Sequence, residues 1–119
     1  GTEKGQSALK AILDSELVIT PEIVLAEISR KYFREGAKEQ VIRSRIRTIS
    51  QISELSQIDE AIAVESGRSY LEIAEIAKKA KTKKPSLFDA IVLATARVNN
   101  ANVLTGDLHF RDLPETVWL

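Results

Sequence analysis

Three carboxylates in this chain stand where an α/β sheet gathers side chains. Glu27 lies in a helix-patterned stretch after the first short apolar run, Asp89 opens a long apolar helix, and Asp107 follows the apolar run that ends in Thr105. In an open parallel sheet, sites form outside the carboxyl ends of the strands. Acids that converge there repel one another, by about 4 kcal/mol for two charges about 4 Å apart at an effective dielectric near 20. A hard divalent cation relieves that repulsion, and an oxygen-only ligand set suits Mg²⁺ or Mn²⁺. Such an ion lowers the pKa of a bound water and holds phosphate oxygens for in-line attack.

Each acid also has a simpler role open to it. Glu27 has Arg30 and Lys31 three and four residues on, the spacing of a surface ion pair on a helix. Ser86-x-x-Asp89 ahead of an apolar run is a capping-box pattern. Asp107, in Thr-Gly-Asp, has the type and setting of a turn acid.

Composition removes other chemistries. The 119 residues amount to one domain's worth of chain, with 44% apolar and 29% charged residues, close to the globular average. There is no cysteine, which excludes disulfides, thiolate zinc sites and cysteine nucleophiles. His109 is the only histidine, which excludes a multi-histidine metal centre. Seventeen basic residues balance seventeen acids, so the chain as a whole is no polycation, although local patches remain open to it. No apolar run approaches the roughly 20 residues that span a bilayer. A soluble cytoplasmic protein without membrane contacts is the expectation.

The elements that must position the acids follow from periodicity. Apolar residues at helical spacing predict a short helix over 6–14, a helix from Pro21 to about Glu35 stopped by Gly36, and another over 38–50 with Ile42, Ile46 and Ile49 on one face. Thr20 reads as the N-cap of the second helix, with Pro21 at its first position. Asp59 reads as the cap of a helix over 60–80, with Gly67 breaking it in two. Residues 86–98 are apolar on nearly all faces, as in a helix buried in a domain centre. Short β-prone runs at 16–19, 51–57, 102–105 and 115–119 predict strands. Alternation of helices with such strands predicts a parallel α/β sheet with helices on both faces.

Three stretches carry a family resemblance: ITPEIVLAEISRKYFREG (19–36), SLFDAIVLATARVNNANVLTGDLHF (86–110) and the closing TVWL. Together they resemble the PIN-domain ribonucleases found as the VapC toxin of toxin–antitoxin pairs, over nearly the whole chain. The second stretch is the more specific, with an Asp before an Ala-rich apolar helix and a strand running into Thr-x-Asp. The resemblance implies a metal-dependent endoribonuclease using Mg²⁺ or Mn²⁺, with RNA as substrate and an antitoxin as partner, and frequent homodimers. It matches Glu27, Asp89 and Asp107 to acidic site positions, and Thr105 to the hydroxyl residue that accompanies the last acid. Arg43, Arg45, Arg47 and the run Lys78–Lys84 are the basic candidates for RNA contact. The simpler reading of the run is a solvated helix end that complements the macrodipole. The alternative function is a non-catalytic PIN-like domain that binds RNA or protein. A receiver-like signalling domain also sets acids around Mg²⁺, but its acid pair after the first strand and its mid-chain phosphoacceptor have no counterpart here.

The sequence departs from the family pattern twice. His109 stands where many members carry a further acid. The family also opens with a strand ending in a metal-binding aspartate, and nothing before Gly5 matches it. The family strand order resembles 3-2-1-4-5, with that opening strand in the centre. The expectation is therefore a single PIN-like domain, N-terminally truncated, whose full gene encodes an apolar strand with a terminal Asp ahead of Gly1. Without it, both stability and metal binding are expected to suffer.

Overall fold

The structure is a computed structural model that describes Lys10, residues 17–105 and residues 113–118. The predicted helix over 6–14 falls outside these residues apart from Lys10, as does Glu16 at the start of the first predicted strand. The chain divides into two compact units, one within residues 12–57 and one taking in residues 58–119.

In the first unit, β1 (Ile19–Pro21) pairs in parallel with β2 (Glu54–Ser56), Ile19 opposite Glu54 and Pro21 opposite Ser56. Parallel neighbours need a long crossover. Here it comprises α1 (Glu22–Arg34) and α2 (Glu39–Ile52). Thr20 does not cap α1 as expected. It lies within β1, where its hydroxyl donates to Ser53 Oγ at 2.8 Å. Pro21 takes the cap position, with φ −59° and ψ 133° and no side-chain bond. A proline serves both neighbours at this junction: it ends a short strand, and it lacks the N–H that a helix start leaves unpaired.

The first helix stops as its glycine predicts. Gly36 has φ +85°, its N–H reaches Phe33 O at 3.0 Å, and Ala37 N–H reaches Tyr32 O at 2.9 Å. This is a Schellman closure, and only glycine enters that backbone region without a Cβ penalty. Helix α2 runs on to Ile52, so the strand predicted over 51–57 shrinks to Glu54–Ser56. Ile52 continues the three-residue spacing from Ile46 and Ile49, and the helical period prevails over the local alternation.

In the second unit, α3 (Glu60–Ala80) and α4 (Leu87–Val98) are followed by the parallel pair β3 (Val103–Thr105) and β4 (Thr116–Trp118). Asp59 caps α3 as expected, its carboxylate accepting from Ile62 N at 2.9 Å. Gly67 does not break the helix. Ile62, Ser66, Ser69, Ile73 and Ala77 are buried along one continuous face, and that burial outweighs the roughly 1 kcal/mol a mid-helix glycine costs. Ile73, Ala90, Leu93, Ala96, Val103 and Leu113 form the core, with Tyr70 and Val92 packed against it. Small residues at Ser66, Ser69, Ala90 and Ala94 are buried along the two helices. Both serine hydroxyls donate within α3, Ser66 Oγ to Ile62 O at 2.7 Å and Ser69 Oγ to Glu65 Oε1 at 3.2 Å.

The expected parallel, α/β character is thus present as two two-stranded pairs, β1·β2 and β3·β4, among the described residues.

Candidate active site

Asp89 is the best-defined of the predicted acids. It sits in the first turn of α4 and is only 9% exposed. Ser86 N–H donates to Asp89 Oδ2 at 3.0 Å, and Asp89 N–H donates to Ser86 Oγ at 3.2 Å. The capping box read from Ser86-x-x-Asp89 is therefore formed in full. It accounts for one carboxylate oxygen and leaves Oδ1, which no described residue binds. Capping and ligation are compatible in one side chain, because a carboxylate carries two oxygens and about four acceptor sites.

Short Asn99–Asn102 turns the chain back from α4 into β3, and Ala96 and Val103 share the core. A helix feeding a strand through so short a link runs antiparallel to it. The start of α4, with Asp89, and the end of β3, with Thr105, therefore lie at the same end of this unit. Thr105 pairs with Trp118 across the β3·β4 ladder.

Glu27 lies on α1 in the first unit, and Arg30 donates to its Oε1. The i,i+3 pair expected of that spacing is present, and with Glu27 about a third exposed it adds little to stability. Asp107 and His109 lie outside the described residues, and the expected convergence of Glu27, Asp89 and Asp107 depends on one of them. Among the described residues no group of three acids or histidines is close enough to hold a metal ion.

Sequence reasoning missed one polar centre. Arg97, near the end of α4, donates from Nε to Glu115 Oε1 at 2.6 Å and makes a bidentate bond to Glu72 at 2.6 and 3.2 Å. Nη1 also reaches Ser69 Oγ at 3.2 Å. The signal was available: a lone cation in an otherwise buried, apolar helix requires acid partners. These contacts tie α3, α4 and the approach to β4 together. The Arg97 guanidinium, bonded to Glu72, lowers the carboxyl pKa of that residue against the opposing effect of burial. Glu72 in turn raises the guanidinium's affinity for its proton.

The fold has clear relatives. The PIN domain family model matches residues 1–116. A chain of a toxin–antitoxin complex from Klebsiella pneumoniae is similar in structure over 98% of this chain and 84% of its own, with TM-score 0.65 and 22% identity. A chain of VapBC2 from Rickettsia felis, bound to a DNA fragment from the VapBC2 promoter, is similar over 99% and 85%, with TM-score 0.66 and 16% identity. No curated protein sequence matches the chain. A match spanning residues 1–116 leaves almost none of the chain outside it. The α/β fold with parallel strand pairs is accordingly the PIN fold, and the chain belongs to the PIN domain family.

Proposed function

We propose that this protein is a Mg²⁺- or Mn²⁺-dependent endoribonuclease and the toxin of a toxin–antitoxin pair, acting in the cytoplasm. The observation that carries the reading is Asp89: a nearly buried carboxylate, fixed by one oxygen at the start of α4, with the other bound by no described residue. Membership of the PIN family and likeness to chains of toxin–antitoxin complexes support it. The donor chemistry fits a hard cation, since Asp89, Asp107 and Glu27 offer only oxygen.

In this reading Asp89 and Asp107 would hold the metal, and Glu27 would ligate a metal or orient the attacking water. Thr105 would be the hydroxyl residue that accompanies the last acid. A bound ion would neutralise phosphate charge and lower the pKa of a bound water, which supplies hydroxide as the nucleophile. Ser86 keeps Asp89 in place: with Oδ2 committed to the Ser86 N–H, the carboxylate is not free to rotate.

Ser86→Ala removes the Oγ that accepts from Asp89 N–H and keeps the backbone N–H that holds Asp89 Oδ2. It should cost about 1 kcal/mol of stability through the lost cap, with little change in the Mn²⁺ needed for half-maximal cleavage. Ser86→Thr, which keeps the hydroxyl, should restore the stability. A Mn²⁺ requirement raised by about 10- to 100-fold in Ser86→Ala would show that the hydroxyl, and not the N–H, positions the ligand.

The functional test is cleavage of an end-labelled single-stranded RNA by the full-length protein with Mn²⁺. Internal cuts are expected. Added product of the neighbouring reading frame, the proposed antitoxin, should suppress them, its Arg or Lys taking the place of the metal's charge at the acids. Intact RNA in the presence of folded protein would contradict the nuclease reading, and undiminished cutting would remove the antitoxin. A homodimer is the proposed assembly, which sedimentation of the full-length protein would test.

A further inference from the structure

We propose that residues 78–84, the last turn of α3 and the link to α4, form the surface that holds the RNA backbone beside Asp89. The inference rests on the ribonuclease reading and assigns that site its substrate-binding residues. Five of these seven residues are lysines and none is an acid, in a chain whose total charge is zero. All five are exposed. The ion pair described among them, Lys79 to Glu75 at 3.9 Å, lies on the helix surface with both partners mostly in water. Pairs of that kind hold a cation weakly, so the charge of the segment is available to a ligand.

The backbone gives a second reason. Lys81 closes α3 in the left-handed conformation, at φ 56°. Thr82 N–H reaches Ala77 O at 3.0 Å and Lys81 N–H reaches Lys78 O at 3.2 Å, the same closure that Gly36 makes after α1. A lysine there is disfavoured relative to glycine by sterics alone. A cation at such a position is the kind of backbone outlier from which a binding role is inferred and then tested.

Position and composition select the ligand. The link ends at Pro85 and delivers the chain directly to Ser86 and the α4 start, so Lys84 is five residues from Asp89. A lysine ammonium is a point charge that suits a phosphate without demanding planar, bidentate geometry. Protein interfaces rely on aromatic, arginine or large apolar anchors, and KKAKTKK contains none. A polyanion of uniform charge is therefore the better occupant than an acidic protein. The α2 arginines are weaker candidates: Arg43 is engaged by Glu39 at 3.0 Å, and they belong to the other unit.

The test is anisotropy of a labelled, 2′-O-methylated single-stranded RNA, which resists cleavage, titrated with full-length protein between 50 and 200 mM salt. Each phosphate contact on a single strand contributes about −0.7 to the slope of log affinity against log salt. Removing three contacts in Lys81→Gln/Lys83→Gln/Lys84→Gln should make the slope about 2 shallower, so that about 20-fold less affinity is lost over this range. The control Arg68→Gln removes an exposed charge of the same helix, ten residues before Lys78, and should leave the slope near that of the wild type. Lys81→Gly separates structure from binding: it should raise the melting temperature by a few degrees while lowering RNA affinity. An unchanged slope in the lysine triple variant, or an equal change in the control, would overturn the proposal. So would loss of binding to an acidic protein partner with RNA binding intact. Wild-type protein that binds RNA through these lysines but never cuts an unmodified strand would retire the nuclease reading and keep the surface.

Discussion

Asp89→Asn is expected to reduce RNA cleavage by at least about 10²- to 10³-fold, the scale on which losing one group that stabilises transition-state charge is felt, while leaving the protein folded. The two expectations come from different atoms of one side chain. An asparagine oxygen can still accept from Ser86 N–H, which the carboxylate does at 3.0 Å. The capping box survives in geometry, and the change in stability should stay within about 1 kcal/mol. What the amide cannot do is bring a negative charge to a cation. Asp89→Ala, in contrast, should lose both the cap and the charge. Comparing urea melts and cleavage rates for the two variants separates the roles. Asp89→Asn protein that cuts RNA at the wild-type rate would make Asp89 a helix cap and nothing more.

The largest effect on stability is expected at Arg97. Arg97→Met should destabilise the protein by about 2–4 kcal/mol. The range sits somewhat below that for breaking a fully buried pair, because Arg97 and Glu115 are 19% and 20% exposed. The loss arises because the acid partners stay behind. Glu115 already has a buried Oε2 without a partner among the described residues, and it would lose the bond to its other oxygen as well. Adding Glu115→Leu to Arg97→Met should recover part of the loss. A urea midpoint unchanged by Arg97→Met would contradict this account of how α3, α4 and β4 are joined.

The same contacts set a pH dependence. The folded pKa of Glu72 lies below its ordinary 4.5 because Arg97 hydrogen-bonds the ionised form. Its contribution is therefore complete above that value and is lost as pH falls below it through the lowered pKa. Arg97 remains charged throughout. Stability should decline on acidification below about pH 4.5, and Glu72→Gln should make the decline shallower.

Local chemistry was the most legible part of the sequence. The caps at Asp59 and Ser86, the glycine stop at Gly36 and the Glu27–Arg30 pair all involve residues within five positions of one another, and all are present. The errors came where distant partners decide. Gly67 looked like a break because the sequence alone does not show that α3 is held along one face by α4. Thr20 looked like a cap because its pairing in β1 depends on Leu55, 35 positions on. The Arg97 contacts reach 18 and 25 residues away, beyond any local pattern. Of the proposed site, the described residues show Asp89 at a helix start, while its approach to Asp107 falls outside them. The proposed role of Asp89 as a ligand stands on the same motif as its role as a cap, so sequence could not divide the two.

The central claim is most directly tested by the rate of RNA cleavage against Mn²⁺ concentration, measured with the full-length protein before and after chelation. The account predicts no cleavage in chelator, a rate that rises and saturates as Mn²⁺ is restored, and recovery with Mg²⁺ in its place. Cleavage that persists undiminished in chelator, or RNA left whole at every Mn²⁺ concentration by protein that remains folded, would contradict it.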